Sequence, residues 1–290
     1  MSENSKIAWT ENTWSPWWGC REISPACQNC YAKRLSHRFG HDCWGDKPRL
    51  MLSEAHWRKP LVWNRKAERE GRIIPVFPSM CDPFEDRPEL VEPRKRLTSM
   101  IARTPNLFWL LLTKRPENIH KWPFRTGLLN GCIPVDDAWP NNVGLGVTVE
   151  NNDYRWRVAK ILEVPAALYF LSAEPLLGEL NLASIRYRAD GREHCIDALR
   201  GEWSSGKPDF PTLPGWGSGR LGWVIVGTES GPRRRPTDIA HIRSLRDQCE
   251  AAGIPFLLKQ MEIGGKLVKM PLLDGRVWDE VPAVLEAPDA

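Results

Sequence analysis

The chain has 290 residues, of which 42% are hydrophobic and 26% charged, values that exclude a low-complexity chain and are typical of a globular protein. Lys and Arg number 40 against 36 Asp and Glu, a formal net charge of +4, which permits a nucleic-acid partner without arguing for one. The longest apolar run, residues 107–112, is too short to span a bilayer. The polar residues 1–6 are not a secretory signal. Together these features predict a cytoplasmic protein with no membrane partner.

Seven short runs of apolar, β-branched or aromatic residues predict the strands of one sheet. Because each run is apolar on successive residues, its strand is expected to be buried on both faces, as in a parallel sheet. The predicted strands are residues 6–9, 73–79, 107–113, 143–149, 167–172, 222–227 and 255–259. Helices are predicted at residues 87–103, 154–162 and 239–252. This alternation indicates an α/β fold, a partial or full (β/α) TIM-like barrel, with a doubly wound open sheet as the alternative.

Two segments interrupt the alternation. Residues 44–72 are rich in Trp, Lys and Arg and are expected to form a helical excursion after the first loop. Residues 185–221 are rich in Gly, Ser, Pro and Arg and are predicted to be a surface insertion. The predicted organisation is a barrel over residues 1–263, with a Cys-rich loop at 19–34 and this insertion, followed by a C-terminal extension at 264–290.

Three cysteines lie close together, Cys20, Cys27 and Cys30, in a C-x6-C-x2-C arrangement. In a cytoplasmic chain, clustered cysteines indicate metal or redox ligands rather than disulfides. Three thiolates in one loop can hold three irons of a [4Fe–4S] cluster and leave the fourth iron open to a small molecule. The spacing therefore predicts an iron–sulfur site in the loop after the first strand. The remaining cysteines are scattered and are expected to be buried small side chains: Cys43, Cys81, Cys132, Cys195 and Cys249.

Two other interpretations of this loop remain open. Cys27, Cys30, His37 and His41 offer two thiolates and two imidazoles, a donor set for tetrahedral zinc. That set leaves Cys20 unexplained, and its Cys-to-His gap is shorter than the ~12 residues of a zinc finger. A structural role without any metal is the other alternative.

Polar and charged side chains stand at the end of each later predicted strand. In a barrel the loops at the carboxyl ends of the strands carry the functional site. Six strands that each end in this way indicate one shared polar pocket. The six ends are residues 79–82, 113–115, 148–151, 172–175, 227–231 and 259–260.

Several segments resemble the phage Gp37/Gp68 family (DUF5131), and the resemblance covers nearly the whole chain. They are NTWSPWWGC at residues 12–20, CQNCYAKR at 27–34, WVIVGTESGP at 223–232, FLLKQ at 256–260 and LDGRVW at 273–278. That family is in turn similar to radical SAM enzymes, especially the branch containing spore photoproduct lyase. There a Gly-Cys-x3-Cys-x2-Cys-Tyr-Ala loop carries the cluster, whereas the first spacing here is six residues.

The resemblance implies a partial TIM barrel and a [4Fe–4S] cluster on Cys20, Cys27 and Cys30. It also implies that S-adenosylmethionine chelates the open iron and is cleaved reductively to a 5′-deoxyadenosyl radical. The strand ends then supply candidate residues for the cofactor. Carboxylates for its amino, sulfonium and ribose groups are Asp82, Glu150, Glu174 and Glu229, and cations for its carboxylate are Lys114, Arg115 or Lys259. The alternative for each is an ion pair that closes the barrel mouth.

The expected function is that of a radical SAM-like enzyme acting on nucleic acid, a nucleotide or a modified base, with or without a partner protein. Kinship with photoproduct lyase, the fifteen Trp residues and the mild positive charge support this substrate class. The run Arg233–Arg235 is expected to be a solvated turn or a phosphate contact. One alternative is a non-catalytic nucleic-acid-binding protein with a structural zinc or Fe–S site. Another is an Fe–S enzyme that does not use S-adenosylmethionine.

Overall fold

The computed structural model describes residues 2–122, 139–189, 191–204 and 219–286. Cys132, most of the second half of the predicted insertion and the last four residues of the chain lie outside the described residues. In the described ranges, no helix is both long enough and apolar enough to cross a membrane.

The fold is mixed α/β, with fifteen short and long strands and six α-helices in the described residues. The strands are β1 Asn12–Thr13, β2 Trp17–Trp18, β3 Leu50–Met51, β4 Ile74–Phe77, β5 Leu107–Thr113, β6 Val143–Thr148, β7 Leu168–Ala173, β8 Ile185–Ala189, β9 Arg192–Asp197, β10 Glu202–Trp203, β11 Trp223–Gly227, β12 Phe256–Ile263, β13 Lys266–Lys269, β14 Leu272–Leu273 and β15 Arg276–Val277. The helices are α1 Tyr31–Arg38, α2 Glu54–Trp57, α3 Lys59–Glu70, α4 Val91–Ala102, α5 Trp156–Ile161 and α6 Ile239–Ala252.

One eight-stranded sheet organises the molecule, in the order β1-β4-β5-β6-β7-β11-β12-β13, and it curls into a half-barrel. Neighbours from β1 to β12 are parallel, and only β13 is antiparallel to its neighbour. The α/β class is as predicted. Since β1 and β13 end the strand order in the described part of the chain, the sheet is open there rather than a closed barrel.

The central strands are buried on both faces, because alternate side chains enter two separate cores. On β5, Trp109 and Leu111 belong to the larger core, while Phe108 and Leu110 point into the smaller one with Phe170. All of these side chains are at most 2% exposed. The continuous apolar runs that predicted these strands are the consequence of this two-sided burial.

The first predicted strand, residues 6–9, is wrong. This segment is a turn, in which Ser5 N donates to Glu11 O (2.6 Å) and Thr10 N donates to Ile7 O (3.3 Å). Its Trp9 fills the smaller core, with its ring 4.4 Å from that of Phe77. An apolar side chain that packs from a turn gives the same local pattern as a strand. The strand that pairs with β4 is β1, three residues further on.

The predicted helices are present, and α6 has a capping residue at each end. Asp238 accepts a hydrogen bond from Ala240 N at the start of α6, and Gly253 ends it in the left-handed conformation at φ 63°. In the 87–103 segment, Pro88–Leu90 forms a 3-10 turn before α4 begins. The predicted helical excursion after the first loop contains α2 and α3.

The insertion and the extension each form β-structure. Strands β8, β9 and β10 make a separate three-stranded antiparallel sheet in the predicted insertion. In the predicted extension, β13 pairs with β12 from Gln260↔Lys269 to Ile263↔Lys266. The segment after residue 263 therefore adds the last strand of the main sheet, and β14 with β15 forms a small ribbon beyond it.

Candidate functional site

The carboxyl ends of the main-sheet strands surround one cavity of about 1150 Å³, counting the space open to solvent at its mouth. Each of the six predicted polar strand ends contributes to its wall. The contributors are Ser79, Met80, Cys81 and Asp82 after β4, Thr113, Lys114 and Arg115 at β5, Thr148 at β6, Ser172, Glu174 and Pro175 at β7, Thr228, Glu229 and Ser230 after β11, and Lys259 and Gln260 on β12. Parallel strands deliver all these ends to one edge, so residues far apart in sequence meet.

Cys20, Cys27 and Cys30 also line this cavity. Their loop is shaped by Gly19, whose φ of +117° and whose approach to Cys43 O leave no room for a side chain. The 3-10 turn Pro25–Cys27 then bends the loop, and α1 begins directly after Cys30. The local sequence thus brings three thiols to the wall formed by the strand ends.

Burial dominates the electrostatics of the Cys20 and Cys30 thiols. It raises the pKa of Cys20 to about 12, with nearby Asp82 acting in the same direction and Arg115 opposing it. Burial likewise raises the pKa of Cys30. Without a metal such thiols stay protonated at neutral pH, and a metal would have to displace their protons.

Cys81 is a fourth thiol on the same cavity wall, whereas the sequence predicted only a buried small side chain at this position. It follows β4, and an isolated parallel β-bridge between the backbones of Gly19 and Cys81 holds it beside the cysteine loop. Burial, with Asp82 and Cys20 acting in the same direction, raises the pKa of Cys81 well above its ordinary value. The signal for Cys81 is its place in the first of the six polar strand ends, residues 79–82.

Within the described residues, no group of three or more His, Cys, Asp or Glu side chains is arranged to hold a metal ion. The donor chemistry of the cavity is nevertheless of the kind an iron–sulfur cluster takes, because Cys20, Cys27, Cys30 and Cys81 all line its wall and thiolates are the ligands of such clusters. The two histidines of the zinc alternative do not line the cavity. His37 Nε2 is 4.0 Å from Asp42, and the His41 ring packs on Trp18 at 5.5 Å.

Asp82 and Arg115 form a buried ion pair beside the cysteine loop, with 2.8 Å between Arg115 Nη1 and Asp82 Oδ2. Thr113 Oγ1 donates to the other oxygen of Asp82 at 2.7 Å. Arg115 Nη1 also donates to Cys20 Sγ at 3.5 Å, and its Nη2 donates to Arg21 O at 2.6 Å. Asp82 and Arg115, both predicted to bind the cofactor, therefore lie beside the cysteine loop and form an ion pair with each other.

Two other predicted carboxylates line the cavity and are also paired. Glu174 accepts from Trp9 Nε1 at 3.0 Å and lies 2.7 Å from Lys259 Nζ. Glu229 pairs with Arg235 and accepts from Asn29 Nδ2 at 2.8 Å. Burial is the largest single influence on Glu229 and by itself would raise the pKa of this carboxylate. The hydrogen bonds from Arg235 and Asn29, together with the charge of Arg235, outweigh it, so the pKa of Glu229 lies below its ordinary value.

Lys114 differs from the other two candidate cations. It lines the cavity, and no acidic side chain among the described residues lies within ion-pair distance of its Nζ. Thr228 Oγ1 is buried on the same wall and has no hydrogen-bond partner in the described chain. Because buried polar groups are almost always hydrogen-bonded, this hydroxyl is available to a ligand.

Glu150 lies behind the cavity wall rather than on it. Its side chain is fully buried and pairs with Arg157 at 3.0 Å between Oε2 and Nη1. Arg157 also donates to Thr148 O at 2.9 Å, and its guanidinium stacks on Tyr154 at 4.4 Å. The arrangement ties the end of β6 to α5, so Glu150 forms an ion pair behind the wall rather than one that closes the barrel mouth.

The cysteine loop is fastened to the segment after β11. Arg235 donates to Gln28 Oε1 at 3.2 Å and to Pro25 O at 2.9 Å, while Asn29 donates to Arg233 O at 3.0 Å. Of the predicted Arg run, Arg235 therefore holds the loop, Arg234 pairs with Glu262, and the Arg233 side chain is exposed.

Fold and site together define an α/β half-barrel protein with a cysteine-lined polar cavity at the carboxyl ends of its strands. The chain belongs to the family described as "Protein of unknown function (DUF5131)", whose family model matches residues 4–282. No curated protein and no solved structure matches the chain.

Proposed function

We propose that the protein is a radical SAM-like enzyme that holds a [4Fe–4S] cluster on Cys20, Cys27 and Cys30. The observation that carries the proposal is that these thiols and six charged or polar strand ends line one cavity. The resemblance of the cysteine loop to radical SAM enzymes suggests the same chemistry. When bound, the cluster would supply the electron that cleaves S-adenosylmethionine to a 5′-deoxyadenosyl radical.

The chain's own residues would bind and orient the cofactor. Three thiolates leave one iron open for an amino and a carboxylate group. Among the three candidate cations, Arg115 is paired with Asp82 and Lys259 with Glu174, whereas Lys114 has no such partner among the described residues. We therefore assign Lys114 to the cofactor carboxylate, because a cation already neutralised by a carboxylate attracts a second anion less strongly.

The carboxylates of the wall would accept hydrogen bonds from the cofactor rather than offer it an unpaired negative charge, since Glu174 is paired with Lys259 and Glu229 with Arg235. Glu174 and Glu229 face the cavity from β7 and from the loop after β11. The amino group of the cofactor, uncharged when it binds iron, would donate N–H hydrogen bonds to them. Thr228, with its unpartnered hydroxyl, is suited to a ribose oxygen.

The test is anaerobic reconstitution with iron and sulfide, followed by reduction with dithionite in the presence of S-adenosylmethionine. We expect a bound cluster and 5′-deoxyadenosine, measured by mass spectrometry. Cys20→Ala should lose both, whereas Cys249→Ala should retain them, because Cys249 is buried on α6 away from the cavity. Absence of 5′-deoxyadenosine, with Cys20→Ala binding as much iron as the wild type, would refute the proposal.

Cys81 favours a second candidate function, a non-catalytic protein with a structural metal site. Four thiolates on one cavity could close a tetrahedral zinc site or complete a four-cysteine cluster, leaving no open position. Metal analysis of protein purified without added metal distinguishes zinc from iron. In a closed site, Cys81→Ala would release metal as readily as Cys20→Ala does.

The substrate that we propose is nucleic acid or a modified base, on the family resemblance and the mild positive charge. The Trp content does not add to this argument. Eleven Trp side chains are buried in the described chain, so most of them pack in the interior rather than offer a surface for base stacking. Binding of labelled single-stranded DNA and RNA, followed over a range of salt concentrations, is the measurement that tests this class.

A further inference from the structure

We propose that Arg115 is a positioning residue that holds the Cys20 sulfur by a hydrogen bond and sets the reduction potential of the cluster at this site. The inference rests on the proposed iron–sulfur site and adds a role for a residue that does not ligate the metal.

The contact geometry supports this role. Arg115 Nη1 lies 3.5 Å from Cys20 Sγ, within range for a hydrogen bond to sulfur, and Arg115 is only 7% exposed. The same guanidinium donates from Nη2 to Arg21 O at 2.6 Å. One rigid planar group therefore holds both the thiol and the backbone of the next residue, so it fixes where this sulfur points.

Asp82 holds Arg115 in this position. Asp82 Oδ2 accepts from Arg115 Nη1 at 2.8 Å, and Oδ1 accepts from Thr113 Oγ1 at 2.7 Å and from Phe84 N at 3.0 Å. Asp82 is 6% exposed. Because its carboxylate is anchored at three points, the guanidinium cannot swing away from the cysteine loop without breaking a buried ion pair.

The expected effect on the potential follows from charge. Reduction adds negative charge to the cluster and its thiolates, and a hydrogen bond or a nearby cation stabilises that charge. Arg115 therefore raises the reduction potential. Asp82, a nearby anion, opposes it. Removing the guanidinium should lower the potential, and neutralising Asp82 while Arg115 remains should raise it.

A matched control is available in Arg49. It is also a buried arginine, 5% exposed, and it pairs with Glu85 through two hydrogen bonds of 2.8 and 2.7 Å. It donates to Cys43 O at 2.9 Å, and no hydrogen bond joins it to Cys20 Sγ in the described chain. Arg49 also acts on Cys20 through its charge, which Arg49→Lys keeps. Arg49→Lys and Arg115→Lys thus perturb similar buried pairs, and only the second alters a hydrogen bond to a cysteine of the proposed site.

The experiment is an anaerobic redox titration of the reconstituted protein, followed by electron paramagnetic resonance, with iron content measured for every variant. We expect a lower midpoint potential in Arg115→Met, a smaller decrease in Arg115→Lys, an increase in Asp82→Asn and no change in Arg49→Lys. If Arg115→Met does not fold, the opposite shifts of Arg115→Lys and Asp82→Asn decide the question.

The outcomes separate the two proposals. A wild-type protein that takes up no cluster overturns both the proposed function and this inference. A cluster whose potential is the same in the wild type and in the Arg115 and Asp82 variants overturns the inference alone. Shifts of equal size and sign in the Arg115, Asp82 and Arg49 variants would also overturn it, since they would reflect general loosening of the structure.

Discussion

Lys114 and Gly19 contribute to the cavity in different ways, the first by charge and the second by backbone shape. Lys114 is the cation that lines the cavity without an ion-pair partner among the described residues. Gly19 lets the chain turn into the cysteine loop at φ +117°. The sequence indicated Lys114 as a candidate, but the distinction between Lys114 and the other two cations required the ion pairs of the folded chain.

We expect Lys114→Met to weaken binding of S-adenosylmethionine about ten- to hundredfold, since a hydrogen bond to a charged group contributes ~1.5–3 kcal/mol. Titration calorimetry of the reconstituted protein measures this change. Lys95→Met is the control, because Lys95 is an exposed residue paired with Glu92 on the outer surface of α4. Unchanged affinity in Lys114→Met together with a loss in Lys259→Met would reassign the carboxylate site to Lys259.

Gly19→Ala should destabilise the cysteine loop. A Cβ at residue 19 would lie 2.1 Å from Cys43 O, and the positive φ adds strain of ~1–3 kcal/mol. Gly40→Ala is the matched control, since Gly40 has φ +77° but no atom within 4 Å of an added Cβ. We expect a clearly larger decrease in the free energy of unfolding for Gly19→Ala, measured by urea denaturation. If both variants lose the same free energy of unfolding, the contact between the added Cβ and Cys43 O does not destabilise the protein.

At the scale of elements, the cysteine loop and the segment after β11 depend on each other. The loop follows the first strand of the sheet, and Glu229 and Arg235 follow a strand near its other side. Their hydrogen bonds join elements about two hundred residues apart in sequence. No local pattern predicts such a pairing, because it depends on the curvature of the sheet.

Arg235→Ala should loosen the cysteine loop without unfolding the molecule. It removes the hydrogen bonds to Gln28 and Pro25 and leaves Glu229 without its cation. Hydrogen exchange should therefore become faster in residues 25–30, by more than any change in the central strands of the sheet. Arg276→Ala removes an exposed pair with Glu280 and is the control. Exchange in the loop that is unchanged by Arg235→Ala would show that the loop is held by other contacts.

At the scale of the whole molecule, stability should depend on pH through the buried His56. Its ring stacks on Trp14 at 5.2 Å, and its Nε2 lies 3.0 Å from Ser15 O. Burial lowers the pKa of His56 from 6.5 to about 4. Because the folded protein disfavours the protonated ring, its contribution to stability is present above pH 6.5 and is lost as the pH falls toward 4.

The free energy of unfolding should therefore decrease between pH 7 and pH 5, a difference measured by urea denaturation at both values. His56→Gln should be less stable at pH 7 and should show a weaker decrease. The exposed His37 provides the control, and His37→Gln should follow the wild type at both pH values. If the decrease in His56→Gln is as steep as in the wild type, the pH dependence arises from other groups.

The sequence by itself determined the α/β class, six of the main strands and the long helices, because two-sided burial and capping leave direct local patterns. It also identified the polar strand ends and the three-cysteine loop. Only the tertiary structure decided that Trp9 packs from a turn, that Cys81 joins the other three thiols, and that Glu150 lies behind the wall. It likewise decided which cations are already paired. These features depend on which side chains the curled sheet brings within a few ångströms of one another, and spacing along the chain does not encode that directly.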